Sequence, residues 1–237
     1  MAAINAISRI EPKRTARTNR GPRPIVYPTG DGKTMGEDDV HVQATVNGIS
    51  FLQYWFRDRT DVYVMGNNFV YWNEGFPRDR VSPDCYVVLG VENRPHPSYK
   101  SWEEGGKLPD VVFEFTSRST GRQDTERKFT LYEQIWKSQE YFLFDPSGEY
   151  ITPQLKGYTL VNGKYESIPC ADNTMHSDTL GLDLEAQGSY LRFFDPKSAS
   201  YIPTMSELRT DKDASQKRIL ALEAELTELR RKLGRVD

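Results

Sequence analysis

The apolar positions of the chain follow two periods, one helical and one alternating, and their order outlines the fold. From Asp38 to Arg57, Val42, Val46, Ile49, Gln53 and Phe56 recur at helical spacing, and Thr45, Leu52 and Trp55 widen the stripe, which predicts a first helix. Gly48 inside it costs up to ~1 kcal/mol of helix propensity and marks a bend or a close packing contact. Asp61 opens a polar break. Val62-Tyr63-Val64-Met65 and Phe69-Val70-Tyr71-Trp72, joined by Gly-Asn-Asn, then predict a hairpin. A loop from Asn73 to Ser82 carries Arg78 and Arg80, and Pro83-Asp84 leads into a third strand, Cys85 to Leu89. A long loop, Asn93 to Lys107, follows.

The rest of the chain is organised around Pro109 to Glu140. Val111-Val112-Phe113-Glu114-Phe115 is apolar on both faces, as a strand at the centre of a sheet should be, but one carboxylate interrupts it. An ionised glutamate there is costly unless a partner or a metal compensates it. A polar turn, Thr116 to Gln123, precedes a helix beginning near Asp124. On that helix Lys128, Leu131, Tyr132 and Ile135 share one face, with Asp124 one turn earlier. The apolar members of that face must sit on the sheet, which aims Lys128 the same way. A buried strand glutamate and an inward-facing helix lysine are therefore expected to meet. A further strand, Tyr141 to Phe144, stops at Asp145-Pro146. Tyr158 to Val161 and Lys164 to Ser167 flank Asn162-Gly163, a type I′ hairpin pattern. Early helix, antiparallel strands, crossover helix and strand add up to an α/β or α+β core with a mixed central sheet flanked by helices.

The two ends differ from this middle. Residues 1–24 hold Arg9, Lys13, Arg14, Arg17, Arg20 and Arg23 against one acid, Glu11, and no aromatic, the pattern of a disordered basic arm. Such an arm is either a solvated tail or a contact for phosphate backbones or acidic partners; a transit peptide is a third reading. Near the C-terminus Ile219, Leu222, Leu226, Leu229 and Leu233 step by 3, 4, 3, 4 with charged residues between them. Extended backwards, the seam takes in Leu208 and Met205, but Lys212 and Ser215 break it. Two clean heptads are short for a self-sufficient coiled coil; they suffice to assist a dimer or trimer, or to lie on the parent domain, and self-association is the preferred reading. The expected organisation is a basic arm over 1–24, one domain over 25–203 and a coiled-coil-like helix over 204–237.

Composition narrows the function classes. A length of 237 residues suits one domain with appendages, or two small ones, and the 37% hydrophobic fraction is low mostly because of the two ends. A net charge of −3 and a pI near 5.8 argue against non-specific avidity for nucleic acid but leave room for a local basic patch. Cys85 and Cys170 lack metal-ligand spacing and are expected to be reduced thiols. No apolar run approaches the ~18 residues of a membrane span, and the N-terminus lacks a signal-peptide core. A soluble cytoplasmic protein without membrane contact is expected.

Three residues carry the candidate chemistry: Asp84 at the head of one strand, Glu114 inside the next and Lys128 on the following helix. Two carboxylates on neighbouring strands suit a hard divalent cation, Mg²⁺ or Mn²⁺, and a lysine beside them can orient or deprotonate a water and offset phosphate charge. The set therefore points to hydrolysis of phosphodiesters. Each member also has a plainer reading: a turn cap for Asp84, a structural ion pair with an arginine for Glu114, a snorkelling surface lysine for Lys128. Arg118, Arg122 and Arg127, clustered with Lys128, form either a phosphate-facing patch or a solvated turn. His41 is expected to cap or pack, and His96 and His176 stand alone in loops, so no histidine-based site is expected. Trp55, Phe56, Trp72 and Trp136 fit core packing better than base stacking.

These residues carry a resemblance as well. Val81-Ser82-Pro83-Asp84-Cys85-Tyr86-Val87-Val88-Leu89-Gly90, Pro109 to Ser117, Lys128 with Tyr132, and Glu140 to Pro146 form four blocks. Together they resemble the Uma-type restriction endonuclease family of the PD-(D/E)XK nuclease superfamily, over about Tyr27 to Pro203. The resemblance implies a restriction-endonuclease-like core with Asp84 as the PD aspartate and Glu114 as the acidic residue after it. It departs from the superfamily pattern at Thr116, where the plain motif has its lysine; in this family the lysine would come from the helix, as Lys128. Arg118 replaces a proline expected in the turn. Glu37 or Asp39 resembles an upstream acid of some superfamily members, and Asp124 and Ser117 are secondary candidates. The reading is thus a Mg²⁺- or Mn²⁺-dependent endonuclease acting on DNA, self-associated through its C-terminal helix. The alternative is an inactive nuclease-fold binding or assembly module working through the basic arm and that helix.

Overall fold

The computed structural model describes residues 25–28, 39–116 and 122–234, with the side chains of 122–125 outside that description. Helix α1 (Asp39–Trp55) precedes β1 (Val62–Met65), β2 (Val70–Tyr71), β3 (Arg80–Val81), β4 (Cys85–Leu89), β5 (Tyr99–Lys100) and β6 (Val111–Phe115). Helix α2 (Arg122–Thr130) runs on into a π-helical turn, Leu131–Trp136, before β7 (Glu140–Phe144), β8 (Leu155–Val161) and β9 (Lys164–Ser167). The strands β10 (Thr174–Ser177), β11 (Leu182–Gln187), β12 (Tyr190–Asp195) and β13 (Ser200–Tyr201) follow, and α3 (Met205–Leu233) ends the described chain.

Six strands form the main sheet in the order β1-β4-β6-β7-β8-β9, antiparallel except for the central pair β6 and β7. All five residues of β6 and of β7 are buried, as the uninterrupted apolar runs require, and α2 is the crossover between these parallel strands. This is the mixed central sheet with a crossover helix that the order of elements predicts. The two faces of the sheet bury different groups. Cys85, Val87, Val111, Phe113 and Phe115 face α1 and the small sheet β10-β11-β12-β13, where Phe193 packs its ring 5.6 Å from Phe51 and 5.9 Å from Phe113. Tyr86, Val88, Val112 and Tyr141 face α2 and an aromatic layer with Tyr132 and Trp136.

The expected hairpin between Val62–Met65 and Phe69–Trp72 does not form. Strand β1 pairs with β4 in the main sheet, whereas β2 pairs with β3 and β5 in a separate three-stranded sheet. The intervening Gly66-Asn67 turn, with Asn67 at φ 57°, serves another segment instead: the Asn67 N–H donates to the Pro83 carbonyl at 2.8 Å. The buried stripe of α1 also differs from the expected one. Val42 and Val46 are exposed, and His41, Ala44, Thr45, Gly48, Phe51 and Leu52 are buried. The small members of that stripe decide the orientation, because a Cβ on Gly48 would lie 2.9 Å from the Phe115 ring. In the helix after β6, Leu131 and Tyr132 face inward as expected, but Ile135 is exposed. The π turn widens the helix at that point, so Trp136 takes the inward position, and Lys137 closes the turn at φ 54°. The hairpin β8–β9 turns through Asn162 (φ 51°) and Gly163 (φ 79°), as a type I′ turn demands. The strands β10–β13, whose burial alternates along β11 and β12, went unrecognised in the sequence pattern. Both cysteines are free thiols, Cys85 buried in β4. No helix among the described residues is long and apolar enough to cross a membrane.

Candidate active site

The register of β4 against β6 brings the two acids together. Cys85 pairs with Phe113 in an antiparallel ladder, so one residue further along Asp84 stands opposite Glu114, on the sheet face turned toward α2. Side chains directly opposite in such a ladder have Cβ atoms about 4.5–5.5 Å apart. Both carboxylates are buried, Asp84 at 9% and Glu114 at 4% exposure. Their surroundings hold them differently. Asp84 Oδ2 accepts the Phe115 N–H at 2.7 Å, which ties the aspartate to the end of β6. Glu114 accepts two hydrogen bonds from the following helix: the Lys128 ammonium at 2.8 Å on Oε2 and the Tyr132 hydroxyl at 2.6 Å on Oε1. Lys128 and Tyr132 are four residues apart, one helical turn, which is why both reach a single carboxylate.

The electrostatics follow from this packing. Burial, then the Glu114 charge opposite, raise the Asp84 carboxyl well above the usual carboxylate range, and the Lys128 ammonium and the Phe115 N–H only partly oppose them. Burial and the adjoining Glu114 likewise push the Tyr132 hydroxyl well up, so it stays a donor. The segment before Asp84 leaves no slack: a Cβ on Gly66 would lie 1.9 Å from the Asp84 carbonyl oxygen. A glycine is required where the 66–67 turn passes beneath the aspartate.

The candidates from the sequence are placed as follows. Asp84, Glu114 and Lys128 are brought into one cluster. Asp39 is exposed in the first turn of α1, and the residue of that turn facing the site is His41, buried, with Nε2 3.9 Å from Asp84 Oδ1. Arg127 is exposed. Glu37, Ser117 and Arg118 lie outside the described residues, as do the side chains of Arg122 and Asp124 in the first turn of α2. His41 and Tyr132 are neighbours of the site that sequence reasoning did not assign to it. Tyr132 was legible as a member of the Lys128 face; His41, on a stripe of small residues, left no periodic trace.

Two buried acids, one held by a backbone N–H and the other by a hydroxyl and an ammonium, can take a cation through oxygen, and the ammonium can present positive charge to an anion beside it. Comparison with known proteins bears on which anion. Residues 25–188 match the Uma2 family, described as "Putative restriction endonuclease". Among solved structures, the chain is similar to a crystal structure titled as a putative nuclease belonging to DUF820 from Anabaena variabilis. The identity is 13% and the TM-score 0.43, with 64% of this chain and 81% of that one covered. A search of the curated proteins finds no match.

Proposed function

The chain belongs to the Uma2 family of restriction-endonuclease-like nucleases, and we propose that it is a metal-dependent endonuclease that hydrolyses DNA phosphodiester bonds at Asp84, Glu114 and Lys128. One observation carries the reading: a half-buried lysine ammonium held on a buried strand glutamate, opposite a second buried carboxylate. A structural ion pair needs one acid. The second, buried at a cost that Glu114 increases, is explained by a ligand that uses both.

Charge decides whether a divalent ion suits these residues. Two carboxylates face one ammonium, and an added cation removes the repulsion that favours protonated Asp84. Mg²⁺ or Mn²⁺ takes oxygen ligands, commonly one or two carboxylates with water completing the shell. Asp84 and Glu114 are the pair that would hold it; among the described residues no group of three or more His, Cys, Asp and Glu side chains is placed to hold a metal. When bound, such an ion supplies Lewis acidity toward the phosphodiester and the attacking water. The residues of the chain do the rest. The Phe115 N–H holds Asp84, and Tyr132 and Lys128 hold Glu114. The Lys128 ammonium orients the attacking water and offsets charge gathering on the phosphate oxygens. Arg127, exposed on α2, is the described candidate for a phosphate contact, and Arg118 and Arg122 are further candidates from the sequence.

A second reading, an inactive nuclease-fold assembly module, is favoured by one observation: α3 has no buried side chain along its 29 residues. It gives no reason for the buried acid pair. Calorimetry with Mg²⁺ and Mn²⁺ on wild type and Glu114→Ala, with plasmid nicking on the same samples, separates the two. Binding and nicking that both vanish in the variant are expected. No binding and no nicking by wild type would leave Glu114 a structural acid and the assembly reading in place.

A further inference from the structure

Helix α3 starts from a fixed point and then leaves the domain. Thr204 and Glu207 cap it reciprocally, and Glu207 lies 3.5 Å from Arg192 on β12. From its capped end the whole helix runs about 43 Å at 1.5 Å per residue. Ile219, Leu222, Leu226, Leu229 and Leu233 are between 41% and 73% exposed along it. A helix of this length draws its stability from a packed apolar face, and its own domain covers none of this one.

We infer that the occupant is a second copy of the chain, in a parallel, in-register, two-stranded coiled coil. The charges beside the seam select that arrangement. Ile219, Leu226 and Leu233 occupy a positions and Leu222 and Leu229 d positions, which puts Arg218 and Glu225 at g, and Glu223 and Arg230 at e. In a parallel pair each g residue meets the e residue five positions on in the other helix. Arg218 then faces Glu223 and Glu225 faces Arg230, twice each by symmetry, with every apolar seam residue matched to itself. Antiparallel registers fail on one count or another. Stacking Ile219 on Leu229 sets Glu223 and Glu225 against their own copies. Stacking Leu222 on Leu233 matches charge but overlaps only residues 222–233 and leaves Ile219 uncovered. Overlapping the whole helix lays Leu226 and Leu229 on Ser215 and Lys212. Leucine at both d positions, with β-branched Ile219 and polar Lys212 at a, favours two strands over three, and Leu226 and Leu233 at a do not discriminate.

A charge-swap experiment on the full chain tests this, by sedimentation equilibrium at micromolar concentration. Wild type is expected at twice the 27.3 kDa of one chain. Arg218→Glu alone and Glu223→Arg alone each place two like-charged pairs across the seam and raise the dissociation constant about tenfold. An equimolar mixture of the two restores wild-type association, because each then supplies the charge that the other lacks. Both positions are exposed, so circular dichroism and the thermal unfolding of the domain stay as in wild type. A monomeric or trimeric wild type overturns the inference. So does weakening by only one of the two variants, the mark of an antiparallel register, or a mixture that does not recover.

Discussion

The Lys128–Glu114 contact permits a quantitative test of the site. Replacing Lys128 by Met keeps the length of the side chain and removes the ammonium, leaving Glu114 with the Tyr132 hydroxyl as its remaining donor on that helix. The lysine side chain is 12% exposed and the glutamate side chain 5%, so solvent replaces little of what is lost. Breaking a buried pair by removing one partner costs about 3–5 kcal/mol. The lysine lies at the more open end of that range, so about 3 kcal/mol is expected, or roughly 6–12 °C in Tm for a domain of this size. The double variant Lys128→Met/Glu114→Gln removes the stranded charge and should recover about 2 kcal/mol of that loss. The deficit should also depend on pH. Asp84 has a folded pKa above its unfolded one, so its ionisation costs stability at high pH; that cost shrinks once pH falls below the folded value and is gone below the ordinary carboxylate range. Lys128 helps to hold that folded value down, so its removal enlarges the cost. Urea unfolding of the four proteins of the cycle at pH 8 and pH 5 is the assay. A coupling below about 0.5 kcal/mol at pH 8, or a deficit that does not shrink at pH 5, refutes the pairing.

Other expectations follow from neighbouring contacts. Asp84→Asn retains an oxygen for the Phe115 N–H but removes the ionisation that burial disfavours. Melting at pH 8 should therefore rise by about 2–4 °C, a gain that fades toward pH 4, while nicking is lost. Tyr132→Phe removes one of the two donors on Glu114; urea unfolding should show a loss of about 1.5–3 kcal/mol, and nicking should fall about tenfold. Gly66→Ala drives a Cβ into the Asp84 carbonyl, which forces backbone movement under the aspartate. A loss of at least ~3 kcal/mol is expected, with Mg²⁺ binding by calorimetry weakened in whatever remains folded.

How much of this could be read beforehand depended on how local the cause was. The acid in β6 and the lysine on the following helix are linked by periodicity and a short connection, and their meeting was legible from those alone. The type I′ turn at Asn162-Gly163 was legible because its two residues must take positive φ. The supposed hairpin at Gly66 failed because turn residues state that the chain bends, not which strand it pairs with afterwards. On α1 the inward places of Thr45 and Leu52 and the close packing at Gly48 were legible, but Val42 and Val46 were set inward and Ala44 passed over, because hydropathy ranks valine above alanine while the small Ala44 and Gly48 let the helix approach the sheet. Ile135 was misassigned because a π turn changes the helical period, and no local residue preference announces it.

By itself the sequence determined the elements of the central unit, the strands β6 and β7 and the inward aim of Lys128. Each follows from residue spacing along one stretch of chain, where the backbone period alone sets which side chains share a face. Only the tertiary structure decided that Asp84 stands opposite Glu114, that Tyr132 holds the same carboxylate as Lys128, and that His41 rather than Asp39 faces the aspartate. It also decided which way α1 turns and that β10–β13 cover the far side of the core. These depend on strand register and on the fit of one surface to another, and both are set by contacts between residues distant in the chain.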